Sequence, residues 1–117
     1  MNRQDTKITA MAFRCRADAA LGFENVDEGS KRVSGYTHTD LVEAGQVCLP
    51  DLIQQGERDH VRQQIQDGIN RQGSFAVQFS MLTKDKTVVE GILIGKGIFS
   101  TPLIMTGIEG YIIRMQE

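Results

Sequence analysis

The hydrophobic positions of this chain change period twice. From Ile8 to Arg16 (ITAMAFRCR) apolar residues alternate, with Met11, Phe13 and Cys15 on one side, and this two-residue period predicts a strand. LGFENV (21–26) predicts a second short strand, joined to the first through ADAA, which is brief enough for a hairpin connection. Asp27 can open a short helix over 28–34 that Gly35 stops. Thr37, with Asp40 three residues on, has the form of a capping box and predicts another short helix over 38–44, stopped by Gly45. Pro50 argues against a continuous helix through VCLPDLIQQ (47–55). From Glu57 to Gln72 the period becomes helical. Val61, Ile65 and Ile69 recur every fourth residue, Glu57 and Asp59 lie in the first turn, and Gly73 follows the end. The apolar stripe is narrow, so this helix covers a core on one side only.

The two-residue period then returns. SFAVQFSML (74–82) places Phe75, Val77, Phe79 and Met81 on one face of a strand, and residues 84–86 predict a turn. TVVEGILIGKGIF (87–99) reads as a long strand with a bulge or bend around Gly95 and Gly97. Residues 100–106, with Pro102, read as a loop, and IEGYIIRM (108–115) as the last strand. Short connections imply antiparallel neighbours, and the helices must cross one face. The fold class is therefore α+β, a five-stranded antiparallel sheet with short helices and one longer helix on one side. The last two strands add a complication. Val88, Ile92 and Ile94 share one parity with Val89 and Leu93 on the other, and Tyr111, Ile113 and Met115 oppose Ile108 and Ile112. Both faces carry apolar surface, so something besides the helices is expected to cover the second one, either the leader around Ile8 or a second copy of the chain.

Composition narrows the function classes. A chain of 117 residues predicts a single domain over 1–117, of which 1–7 is a polar leader. A net charge of -2, with the two signs interspersed, lacks the basic footprint of a nucleic-acid binder. No apolar stretch approaches membrane-spanning length, and MNRQDTK lacks the apolar centre of a secretion signal, so a cytoplasmic setting is expected. Cys15 and Cys48 stand at unrelated positions and make neither a disulfide framework nor a metal motif. His38 and His60 fall on separate helices, and Asp40, Glu43, Glu57 and Asp59 lie near helix starts, where the macrodipole accounts for them. Gly95-Lys96-Gly97 is too short and strand-like to cradle phosphates. With no nucleophile motif, phosphate loop or zinc spacing, no catalytic residues, no metal and no enzymatic activity are expected of this domain.

The order of elements, with the words in it, resembles a PAS domain, over a stretch from about Phe13 to Arg114. FENVDEGSKRVSGYTHTDL resembles the family's second strand, short helix, Gly-Tyr hinge and next capped helix, and DLIQQGERDHV its lead into the long helix. SFAVQFSMLTKD and IEGYIIRM are similar to its third and fifth strands. Departures are Asp27 for a common Asn, Lys86 for the usual Gly of the strand turn, Glu90 near a common Trp, and Arg114-Met115-Gln116 where the family often has Asp-Ile-Thr. The resemblance implies a sensory module of a larger bacterial signalling protein. A diguanylate cyclase or phosphodiesterase output is expected to follow in the same chain, with a histidine kinase, or a ligand-free interaction and dimerisation module, as the alternatives. It also implies a possible small-molecule site between helices and sheet, lined by Phe13, Phe23, Val33, Tyr36, Ile53, Val77, Phe79, Met81 and Ile92. No cofactor is expected. Haem through His60 is disfavoured because one residue is about 100° of helix, which turns His60 off the Val61 stripe. Flavin through Cys48 is disfavoured because Val47-Cys48-Leu49-Pro50 lacks the polar residues that hold flavin in light-sensing members. A homodimer through the sheet face is the expected partner.

Overall fold

The alternating segments become one sheet and the helical ones its cover. The computed structural model describes residues 8–115, so the leader predicted over 1–7 lies outside them. Strands β1 (Ile8–Arg16) and β2 (Phe23–Val26) lead into a one-turn helix α1 (Ser30–Ser34). A single wide turn (Thr39–Glu43), two 3-10 turns (Leu49–Leu52 and Gln55–Glu57) and helix α2 (Arg58–Gln72) follow. Strands β3 (Ser74–Leu82), β4 (Val88–Thr101) and β5 (Ile104–Met115) complete the chain. The sheet order is β2-β1-β5-β4-β3, with every neighbouring pair antiparallel. The last strand is thus the central one, and Ile8 of β1 pairs with Met115 of β5 at its end.

Local chemistry accounts for the element ends. Asp27 accepts a hydrogen bond from the Gly29 amide at 3.0 Å and starts the turn into α1. Gly35 and Gly73 close α1 and α2 with φ of 85° and 80°, the left-handed region that glycine enters without a Cβ clash. Thr37 and Asp40 form the predicted box, each side chain accepting from the other's amide at 3.1 and 3.0 Å. The segment after it is a single wide turn over Thr39–Glu43 inside the predicted 38–44, and Gly45, with φ 66°, follows its end as predicted. Leu21 also falls outside β2; its φ of 53° places it in the turn rather than the strand.

Two expectations for the C-terminal half need correction. Gly95 does not sit in a bulge, since β3 and β4 keep one register from Ser74↔Lys96 to Leu82↔Val88. Irregularity comes later, between Ile98 and Phe99 and between Phe99 and Thr101. Nor is 100–106 a loop. The strands continue outward until Thr101 pairs with Ile104 across the two-residue turn Pro102-Leu103. Proline was a poor guide here because a turn position needs no ladder amide.

The glycines of β4 have a packing role. On the inner face Phe75 opposes Gly95 and Phe79 opposes Gly91. A Cβ added at Gly95 would stand 2.6 Å from Phe75 Cζ and 2.7 Å from the Glu109 carbonyl; one added at Gly91 would stand 3.0 Å from Phe79 Cε1. The phenyl rings of β3 therefore lie down over β4 in space that glycine leaves. Around them pack Met11, Cys15, Val77, Leu93, Ile108 and Ile112 from the sheet and Val33, Leu41, Leu52, Val61, Ile65 and Ile69 from the cover, all buried.

Gly95→Ala is expected to lower unfolding free energy by about 1–3 kcal/mol, the cost of overpacking a filled core, despite the gain in strand propensity. Urea denaturation of the purified domain measures it, and an unchanged midpoint would contradict the ring-over-glycine packing.

Candidate functional site

The residues expected to line an internal site are brought together, with two exceptions. Phe13, Phe23, Val33, Ile53, Val77, Phe79 and Met81 all belong to the one buried cluster between sheet and helices. Phe13 and Phe23 meet edge to face, with centroids 6.2 Å apart and planes at 88°. Ile92 is a correction. It pairs with Gln78 and Ile113, one residue out of phase with buried Leu93, and so stands on the opposite face of the sheet. Tyr36 is only half-buried, at the rim, with the Lys84 ammonium 5.9 Å above its ring.

These side chains fill the space between themselves. The gap beside Ile53, walled by Leu21, Leu49, Pro50 and Ile65, amounts to about 10 Å³, the lower limit for a single water. Among the described residues the buried polar ones are Ser30, Ser34 and Thr83. The Ser34 hydroxyl donates to the Ser30 carbonyl at 2.7 Å and accepts from the Tyr36 amide at 3.2 Å, while the Lys84 amide donates to the Ser34 carbonyl at 2.9 Å. The Gly35-Tyr36 hinge is thus tied to the β3–β4 turn. The other end of the cover is tied as well. Ile53 bridges to Met81, the Gln54 amide donates to the Ser80 carbonyl at 2.9 Å, and the Ser80 amide donates to Glu57 at 2.8 Å.

The candidate chemical groups lie apart from one another. His60 is exposed on α2, and His38 is exposed with Nδ1 3.7 Å from a Glu43 oxygen. Cys15 is buried, and burial pushes its thiol pKa far up; Cys48 is half-buried and also pushed up, mainly by burial. Neither is a reactive thiolate at neutral pH. Among the described residues no three His, Cys, Asp or Glu side chains are grouped to hold a metal ion, and no helix is long and apolar enough to cross a membrane.

The outer face of the sheet is the other candidate. Ala10 and Ala12 of β1, Ile113 and Tyr111 of β5, and Ile92 and Ile94 of β4 align across three strands in register. Ile94 is 40% and Tyr111 55% exposed while Ala12, Ile92 and Ile113 are half-buried, so among the described residues no element covers this band. It is bounded by polar pairs: Lys96 with Glu109 at 3.7 Å, Arg14 with Glu24 at 3.2 Å, and Gln78 donating to Glu90 at 2.8 Å. An apolar band with a polar rim is the usual form of a contact surface. Sequence parity located this face. What it missed is the outward continuation of β4 and β5, although the absence of any charged residue from Gly97 to Ile108 was there to be noticed.

No family model matches the sequence, and no curated protein matches it. Solved structures do resemble it. The PAS domain of a protein from Colwellia psychrerythraea is similar at TM-score 0.75 and 20% identity, over 90% of this chain and 86% of that one. A sensory box histidine kinase/response regulator from Burkholderia thailandensis is similar at TM-score 0.70 and 12% identity, over 91% and 76%. The N-terminal domain of a diguanylate cyclase with PAS/PAC sensor from Marinobacter aquaeolei is similar at TM-score 0.68 and 10% identity, over 88% and 92%.

Two carboxylates brace the cover and a third closes the β3–β4 turn, and together they give the fold a pH dependence. Asp40 is held below the usual carboxylate range by the Thr37 amide and then by Lys84, Glu57 by the Ser80 amide, and Asp85 by the Thr83 and then the Thr87 hydrogen bonds. A carboxylate with a lowered folded pKa stabilises the fold above its unfolded value, about 4, and loses that contribution as pH falls toward the folded one. Melting temperature is therefore expected to hold steady from neutrality to about pH 5 and fall below about pH 4. The triple variant Asp40→Asn, Glu57→Gln, Asp85→Asn should show a shallower acid limb. An equally steep limb would refute the assignment.

Proposed function

We propose that this chain, whose fold is that of PAS domains, is a regulatory module of a larger bacterial signal-transduction protein. It relays signals through packing and self-association and has no chemistry of its own. The observation that carries this reading is the double role of β5. The central strand sends Ile108 and Ile112 into the core while Tyr111 and Ile113 lie in the uncovered outer band. A shift of the core therefore moves the contact surface through one rigid strand. The Ile8↔Met115 pairing also sets the two ends of the described chain side by side, so polypeptide before and after the domain meets the same end of the sheet.

The outer band is the surface through which two copies associate. The output is a diguanylate cyclase or phosphodiesterase, with a histidine kinase as the alternative; similar structures come from proteins named as a diguanylate cyclase and a histidine kinase. A filled interior favours relay over small-molecule sensing, since a ligand would have to displace Phe79 or Phe13.

Ile113→Glu is expected to leave the melting temperature within a few degrees and weaken self-association by about tenfold or more, read by sedimentation over a concentration series. Association unchanged by this variant would end the sheet-face reading. In parallel, a thermal-shift screen of small acids, nucleotides and flavins should move nothing; a compound that raises the melting temperature through native-state binding would turn the reading toward sensing.

A further inference from the structure

Among the described residues two buried side-chain atoms lack a hydrogen-bond partner, the Thr9 hydroxyl oxygen and Arg114 Nε. They belong to one register pair. Thr9 of β1 lies opposite Arg114 of β5, which lies opposite Gly91 of β4 on its other side. Thr9 shares its parity with Met11 and Phe13, and Arg114 with Ile108 and Ile112, so both stand on the inner face at the end of the sheet. Buried polar atoms ordinarily find partners, so two orphans at one spot mark a place that the described chain does not complete by itself. The charge of Arg114 is also without compensation. Its Nη1 donates to the Val33 carbonyl at 3.3 Å, and no carboxylate among the described residues forms an ion pair with it. A half-buried charge without a counter-ion is costly to keep.

Arg114 borders a cleft of about 490 Å³ between the end of α1, the β3–β4 turn and β5. The charged groups of this cleft divide into two sets. Lys84 is engaged, its ammonium 3.2 Å from Asp40 and 5.9 Å above the Tyr36 ring. Asp85 is engaged in closing the turn, where it accepts from the Thr83 hydroxyl at 2.5 Å and the Thr87 amide at 3.3 Å. Lys31 of α1 is exposed and, like Arg114, has no carboxylate partner among the described residues. The same holds for Lys86, exposed on the turn beside Asp85. Lys31, Lys84, Lys86 and Arg114 thus stand against Asp40 and Asp85 alone, a local positive excess on a chain whose net charge is -2.

We propose that this cleft receives an acidic protein segment, one carboxylate of which pairs with Arg114 while a neighbouring one meets Lys31. The bond from Arg114 to Val33 is long and Nε makes none. Turning the guanidinium toward the cleft therefore forfeits one weak hydrogen bond and gains a charge-assisted, two-pronged pair with a carboxylate. The occupant acts beside the Ser34 carbonyl, where the Lys84 amide ties the Gly35-Tyr36 hinge to the turn. A free small acid fits less well. One ion pair at an open cleft is worth about 0–1 kcal/mol, so several carboxylates must arrive on one chain. Nucleic acid fits less well too, since the Tyr36 ring, next to Gly35, already carries the Lys84 ammonium on its face. Ile113 has the opposite parity to Arg114, so this contact is separate from the outer band and does not depend on self-association.

A fluorescein-labelled hexaglutamate peptide added to the full chain tests this by fluorescence polarisation. Saturable binding at low salt is expected, weakened about fivefold or more by Lys31→Glu and about tenfold or more by Arg114→Gln. Lys31 is exposed, so its replacement leaves the fold intact. Ile113→Glu and Lys96→Gln lie away from the cleft and should leave binding unchanged. In proton–nitrogen correlation spectra of the unaltered chain, the Arg114 Nε–H signal and the Gly35 and Thr87 amides should shift along one saturation curve. That readout does not require the Arg114 variant to fold. The proposal is overturned if the peptide does not bind, or if Lys96→Gln weakens binding as much as Lys31→Glu. It is equally overturned if an oligouridine of equal charge binds as tightly, or if free glutamate competes as well at equal carboxylate concentration.

Discussion

The phenyl rings of Phe75 and Phe79 rest on the glycines of the neighbouring strand, and the remainder of the molecule is arranged around that contact. A side chain at Gly95 or Gly91 would lift the rings off the sheet and push the cover outward. With glycine there the rings lie down, and α2 can bring Val61, Ile65 and Ile69 close over the sheet. Tight packing of this kind has little slack, since interiors near crystal density respond to the loss or gain of one methyl. The cover of short turns, which has little helical stability of its own, is held down by what it touches and by its hydrogen bonds to Ser80 and Lys84.

A filled interior changes where function can reside. The side chains that would line a ligand site are the ones that make the core solid, and among the described residues the buried polar side chains are Ser30, Ser34 and Thr83, with the Cys15 thiol held protonated by burial. Surfaces are left: the outer band of β1, β5 and β4, and the uncharged outward run of β4 and β5. Both include β4 and β5. β5 links them, because it is paired on both sides within the sheet, buried on one face and uncovered on the other, and continuous from Ile104 to Met115. Displacement at the outward turn, the core or the chain's end is a displacement of one element.

Much of this was legible in the sequence because period and punctuation agreed. Phe75, Val77, Phe79 and Met81 alternate without exception, and Val61, Ile65 and Ile69 close their stripe before Gly73, so strand and helix were placed within a residue of their ends. The Thr37–Asp40 box and the stop at Gly35 were readable because capping is local chemistry. The PAS fold itself was recognisable from the order of such words. What failed was non-local. Gly95 looked like a bend, since a glycine in a strand has several uses and only the opposing Phe75 decides between them. Ile92 was placed inside because its neighbours were apolar on both parities, so the pattern lost its phase. Pro102 hid a two-residue turn, and Lys86 holds a φ of 68° at a position where glycine would be the ordinary choice.

The central claim is that the space between sheet and helices around Phe13, Phe79 and Met81 is occupied by this chain's own side chains. Methyl NMR under a few atmospheres of xenon tests it directly, because xenon enters apolar voids that water leaves empty. The account predicts that the methyl resonances of Val77, Leu93 and Ile112 show no saturable shift as xenon pressure rises. A saturating shift centred on those methyls would reveal an apolar cavity beneath the rings and contradict it.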